Sequence, residues 1–92
     1  MGSDQVRKRV VVHGRVQGVF FRDALQEQAQ ASGVSGWVRN REDGTVEAVL
    51  EGADDAVARV VEFCRHGPRR ADVDNVEVED EAAEGFSGFS VR

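Results

Sequence analysis

The sequence predicts an α+β two-layer sandwich, an antiparallel sheet with two helices on one face. Three observations predict it. The apolar patterns follow one another in the order β-α-β-β-α-β, with room for a short C-terminal strand. Each helical pattern carries one apolar stripe, so each helix has one surface to bury. No repeat, low-complexity tract or linker divides the 92 residues, and Pro68 is the only proline.

Val6 to His13 is rich in β-branched residues and reads as the first strand, with Val10 and Val12 on one face. After Gly14 to Val19 a helix opens near Phe21, with Phe21, Ala24, Leu25 and Ala29 at helical spacing, and Ser32-Gly33 closes it. Val34 to Asn40 reads as the second strand, Arg41-Glu42-Asp43-Gly44 as a tight turn, and Thr45 to Glu51 as the third strand. Val46, Ala48 and Leu50 form that strand's apolar face. The second helix begins with Asp54 and Asp55 at its positive dipole end, carries Val57, Val60, Val61 and Cys64, and ends at His66-Gly67-Pro68. Val73 to Glu79 is a fourth strand and Phe86 to Val91 a short fifth. Two split β-α-β units in this order make the ferredoxin-like sandwich. One domain is expected over residues 1–92, with Met1 to Gln5 as a flexible start.

The net charge of −5 conceals an asymmetry. Residues 1–22 carry Arg7, Lys8, Arg9, Arg15 and Arg22 against Asp4 alone, whereas residues 71–91 carry seven acids and no base. The acidic stretch reads as a solvated sheet face and loop. An overall acidic balance disfavours nucleic-acid binding, and the third strand lacks the aromatics of an RNA-reading sheet. No unbroken apolar run is longer than that of Val10 to Val12, three residues and too short for a membrane span. A lone cysteine, Cys64, makes no internal disulfide and falls on a core stripe, which suits a reducing, cytoplasmic setting.

The chemistry concentrates between the first strand and the first helical turn, in Gly14-Arg15-Val16-Gln17-Gly18-Val19-Phe20-Phe21-Arg22. Glycines at 14 and 18 permit tight curvature, so consecutive backbone N–H groups can share one concavity. The helix N-terminus and the Arg22 guanidinium add positive charge beside it, which together suits a phosphoryl group. No Gly-Lys-Ser/Thr follows, so it is not a nucleotide P-loop. In a split β-α-β unit the first and second strands are parallel with the third between them. Asn40, at the end of the second strand, therefore opens on the same sheet edge, about 10 Å away at ~4.8 Å per strand step. On spacing alone, a glycine turn with a surface arginine and a turn-capping asparagine explain these residues equally well.

With these motifs in view, the sequence resembles the acylphosphatase family over nearly its whole length, from Val6 to Arg92. The resemblance rests on GRVQGVFFR at Gly14 to Arg22, GWVRNREDGTV at Gly36 to Val46, Gly52, and the final FSGFSVR. It implies a hydrolase that splits acyl phosphates into a carboxylate and inorganic phosphate with no metal, cofactor or covalent intermediate. Residue by residue, it places phosphate binding on Arg22, water orientation on Asn40, and the phosphate-binding loop amides on Arg15, Val16, Gln17, Gly18, Val19 and Phe20. The expected partners are a small acyl phosphate and inorganic phosphate, as product and inhibitor, with no nucleic acid or membrane, and the chain is expected to act as a monomer.

The alternative is a non-catalytic module binding phosphate or carbamoyl phosphate. Such modules occur at the start of maturation enzymes that carry zinc-finger cysteines, which are absent here. His13 borders the loop, yet no orienting partner for a phosphohistidine is evident, so it reads as a strand-end histidine. His66 suits the negative end of the second helix. Trp37 and the phenylalanines read as packing groups.

Overall fold

The computed structural model describes residues 5–92. Its elements run β1 (Gln5–Arg15), α1 (Phe21–Ala31), β2 (Ser35–Asn40), β3 (Val46–Ala53), α2 (Asp54–His66), β4 (Asp72–Glu81) and β5 (Phe89–Val91). Of the expected flexible start, Gln5 already belongs to β1, and positions 1–4 lie outside the described residues. Strand order is β4-β1-β3-β2-β5, so β3 is inserted between β1 and β2 as the split β-α-β topology requires.

Both helices use their stripes as expected. Phe21, Leu25 and Ala29 of α1 and Ala56, Val57, Val60, Val61 and Cys64 of α2 are buried. They form one core with Val10, Val12, Val38, Val46, Ala48 and Leu50 from the sheet. Gly33 ends α1 at a positive φ of 73°, and the Val34 amide returns to the Ala29 carbonyl at 2.8 Å. Gly36 is demanded by close approach, because a Cβ there would lie 1.8 Å from the carbonyl oxygen of Val49.

The sheet departs from the expectation of purely antiparallel pairing. β5 is confined to Phe89–Val91 and runs parallel to β2, so the sheet is mixed. The reason is directional: the chain leaves β4 at the sheet end where β2 begins, crosses to the far edge, and enters β5 moving as β2 does. β1 also runs two residues beyond His13, pairing Gly14 with Val73 and Arg15 with Asp72 after a register shift between His13 and Gly14. A Cβ at Gly14 would meet the Asp72 carbonyl at 2.3 Å, so this glycine serves the bulged pairing with β4.

The helix-free face is a lattice of charge, while the acids of residues 71–91 are exposed as expected apart from the half-buried Glu81. Glu47 is fully buried between Arg9 and Arg39, with the Arg39 Nε donating at 2.6 Å. Glu51, also buried, accepts from the backbone amides of Glu84 at 3.0 Å and Gly85 at 2.7 Å, fastening the crossing to β5. Arg7 donates to Glu81 at 2.8 Å and stands over the Phe86 ring at 4.9 Å. On the helix side of the same strand pair, Lys8 pairs with Asp80. The opposite charges at the two ends of the sequence thus meet across the antiparallel β1–β4 pair.

Candidate active site

Those pairs engage Arg7, Lys8 and Arg9 and leave Arg15 and Arg22, the two arginines beside the loop, outside the network. Arg22 lies in the first turn of α1, where its Nη1 donates to the backbone oxygen of Arg92 at 3.0 Å. Asn40 closes β2. Gly36, Val38 and Asn40 alternate onto the sheet face that meets the helices, whereas Trp37 and Arg39 take the other face. Period-two geometry therefore turns Asn40 toward the N-terminus of α1.

There a cavity of about 310 Å³ opens, lined by Val16, Gly18, Phe20, Phe21, Arg22, Asp23 and Asn40. Two segments separated by the whole of α1 and β2 thus converge. Of the other loop positions singled out in the sequence, Arg15, Gln17 and Val19 lie outside the lining: Arg15 ends β1, and Val19 packs into the core. Gln17 lies beneath the loop, its carboxamide Nε2 donating to the carbonyls of Arg41 at 2.7 Å and Thr45 at 2.9 Å.

The entry to α1 is unusual. Phe20 occupies the N-cap in the left-handed region, with φ 64° and ψ 27°, and no side chain caps the helix. The orphan amides of its first turn therefore have no partner from a capping side chain among the described residues. Together with the dipole and Arg22 they gather positive potential at the entrance to the cavity. Gly18 supplies the second positive φ of the loop, 73°.

Sequence reasoning passed over several features. Asp23 and Phe21 line the cavity, and acidic enrichment in a first helical turn was the one available signal for Asp23. Phe20 departs from the expectation of a packing phenylalanine, since it is 72% exposed. His13 does have a partner, Glu77 at 2.6 Å, a cross-strand contact that spacing does not reveal. His13 is not part of the cavity wall. His66 meets Glu62 at 2.9 Å one turn earlier in α2. Burial pushes the Cys64 thiol up to about 12, which leaves it a packing group rather than a nucleophile. No trio of His, Cys, Asp or Glu side chains suited to a metal ion converges among the described residues, and no described helix is long and apolar enough to cross a membrane.

The acylphosphatase family model matches residues 8–91. An acylphosphatase of Haloarcula marismortui is 57% identical over 86 residues, covering 94% of each chain. One of Rubrobacter xylanophilus is 59% identical over 87 residues, covering 94% of this chain and 79% of its own. In three dimensions, an acylphosphatase from Coxiella burnetii superimposes with a TM-score of 0.93 at 38% identity, covering 97% of this chain and 94% of that one. The chain belongs to the acylphosphatase family, the hydrolases of acyl phosphates.

Proposed function

We propose that the cavity at the N-terminus of α1 is where the acyl phosphate is hydrolysed, with residues 1–92 acting as one domain and one monomer. The observation that carries this reading is the convergence of Arg22, Asn40 and the uncapped helix entrance on one cavity. The phosphoryl group sits in the loop Arg15–Phe20, held by backbone amides from Arg15, Val16, Gln17, Gly18, Val19 and Phe20 and by the Arg22 guanidinium. Arg22 supplies a fixed charge and a planar fork for two oxygens. Asn40 holds the attacking water, its side-chain carbonyl accepting a hydrogen bond from the water so that a lone pair is aimed at phosphorus.

This division suits the chemistry of the substrate. The leaving group is a carboxylate, stable as an anion, so no general acid is required to protonate it. Phosphoryl transfer passes through a loose transition state in which positioning and charge stabilisation do most of the catalysis. An amide is too weakly basic to remove a proton, so the water's proton passes to a phosphoryl oxygen of the substrate. Product phosphate retains the geometry that the loop and Arg22 bind, and so competes with substrate. Hydrolysis of benzoyl phosphate by protein dialysed against EDTA tests the reading. Turnover supports it; phosphate binding without turnover would indicate the non-catalytic module instead.

A further inference from the structure

Phe20 is flanked by two core residues, Val19 and Phe21, which are both buried, yet its own ring is turned out of the fold. The cause is its backbone. At φ 64° it occupies a conformation that suits glycine or asparagine far better than an aromatic residue. Strained residues of this kind concentrate at sites where a side chain must be aimed. The two other exposed large apolar side chains among the described residues lie elsewhere: Phe86 sits beneath the Arg7 guanidinium, and Val78 belongs to the edge strand β4. Phe20 alone of the three lines the cavity that holds Arg22 and Asn40.

Size completes the case. A water occupies about 30 Å³ of liquid. A cavity of about 310 Å³ therefore has room for a phosphoryl group, its attacking water and further atoms of the substrate. Arg22 and Asn40 serve the phosphoryl end, Asp23 adds one carboxylate to the lining, and the rest of the wall includes the apolar Val16, Phe20 and Phe21. Resting on the function proposed above, we infer that the Phe20 ring is the contact surface for the acyl group and makes this enzyme prefer acyl phosphates with apolar, above all aromatic, acyl groups. The carboxylate end of the substrate bridges the phosphoryl cradle and this ring, leaving the acyl substituent against the ring face.

The test is the ratio of kcat/KM for benzoyl phosphate to that for acetyl phosphate. Any general effect on the loop amides enters both values and cancels. Phe20→Asn tolerates the left-handed backbone while removing the aromatic surface. It should lower the ratio by roughly three- to tenfold, the worth of one aromatic contact. Phe20→Tyr keeps the aromatic surface and should hold the ratio within twofold of the wild type, and this contrast between the two variants is what a merely structural role would not produce. If wild type hydrolyses both substrates and Phe20→Asn leaves their ratio unchanged, the assignment to Phe20 is wrong and the hydrolytic site stands. If wild type hydrolyses neither, the hydrolytic site and the assignment fall together.

Discussion

Gln17 Nε2 donates to the carbonyl oxygen of Arg41 at 2.7 Å, and the same nitrogen reaches the Thr45 carbonyl at 2.9 Å. One carboxamide thereby ties the loop after β1 to both ends of the turn after Asn40. That turn is closed on itself as well, by the Arg41 amide on the Thr45 carbonyl at 2.9 Å and by Asp43, whose Oδ1 accepts from the Thr45 hydroxyl at 2.6 Å. The distance between the loop after β1 and Asn40 is thus set by side-chain hydrogen bonds as well as by the sheet.

Gln17→Leu removes both hydrogen bonds of this tie, leaving the Arg41 and Thr45 carbonyls with only their backbone donors, the amides of Gly44 at 3.2 Å and Arg41 at 2.9 Å. Loss of stability of about 1–3 kcal/mol is expected in urea unfolding. Because the proposed effect acts through Asn40, kcat should fall about tenfold or more, while the phosphate inhibition constant shifts less. A fall in phosphate affinity with kcat unchanged would place Gln17 in the cradle alone.

Arg22→Gln keeps a polar side chain but removes the charge that the proposed function assigns to the phosphoryl group. A hydrogen bond to a charged group contributes about 1.5–3 kcal/mol. Phosphate, titrated as a competitive inhibitor, should bind at least about tenfold more weakly. Turnover should fall by about 10²–10³ or more, as for the loss of an oxyanion donor. Unaltered phosphate inhibition in the folded variant would contradict the assignment.

Two glycines share a positive φ, 139° at Gly36 and 73° at Gly18, but differ in what an added side chain would meet. At Gly36 a Cβ would lie 1.8 Å from the Val49 carbonyl oxygen, within the β2–β3 pair. Gly36→Ala should cost about 4 kcal/mol or more, the range of severe core lesions. At Gly18, with φ +73°, a Cβ would meet nothing within 4 Å. Gly18→Ala should cost only about 1–2 kcal/mol from the left-handed backbone. Urea midpoints of the two variants check the order, and equal losses would refute the steric explanation.

The charge lattice predicts an acid response. Burial pushes the Glu51 carboxyl up, but the amides of Glu84, Gly85 and Phe86 and the Arg7 guanidinium hold it below its ordinary value. Glu81 is lowered chiefly by its hydrogen bond to Arg7. Groups with depressed folded values stabilise above the unfolded carboxylate range, near pH 4.3, and lose that contribution as pH falls through the folded value. Stability should therefore decline from about pH 5 downward. Glu51→Gln, already weakened at neutral pH, should show a smaller further loss between pH 7 and pH 3. An identical pH dependence in variant and wild type would show that Glu51 is not a source of it.

The sequence made the fold legible where local chemistry and period agree. The stripes of α1 and α2, the Asp-Gly turn at 43–44 and the glycine stop at Gly33 all name their elements. The direction of β5 was not legible, because three residues carry no signal of their neighbour. Arg22 and Asn40 were legible as candidates from motif and topology, and the cavity brings the two together. What escaped was set by long-range contact. Glu47 and Glu51 read as outward-facing acids of β3, and only Arg9, Arg39 and the chain crossing to β5 bury them. The side-chain bonds of Gln17 span 24 and 28 residues. The left-handed turn at Phe20 contradicts that residue's own preference, and local propensity points away from it.

The separation of roles between Arg22 and Asn40 is most directly tested by steady-state hydrolysis of an acyl phosphate by Asn40→Ala, with inorganic phosphate titrated in the same assay. Circular dichroism first establishes that the variant is folded, since Asn40 borders the turn at 41–44. The expected result is a kcat lowered by about two decades or more, the scale of one lost positioning group. The phosphate inhibition constant should stay within a few-fold of the wild type, because the loop and Arg22 remain. A folded Asn40→Ala enzyme with near-normal kcat, or one that loses phosphate affinity as severely as Arg22→Gln, would contradict it.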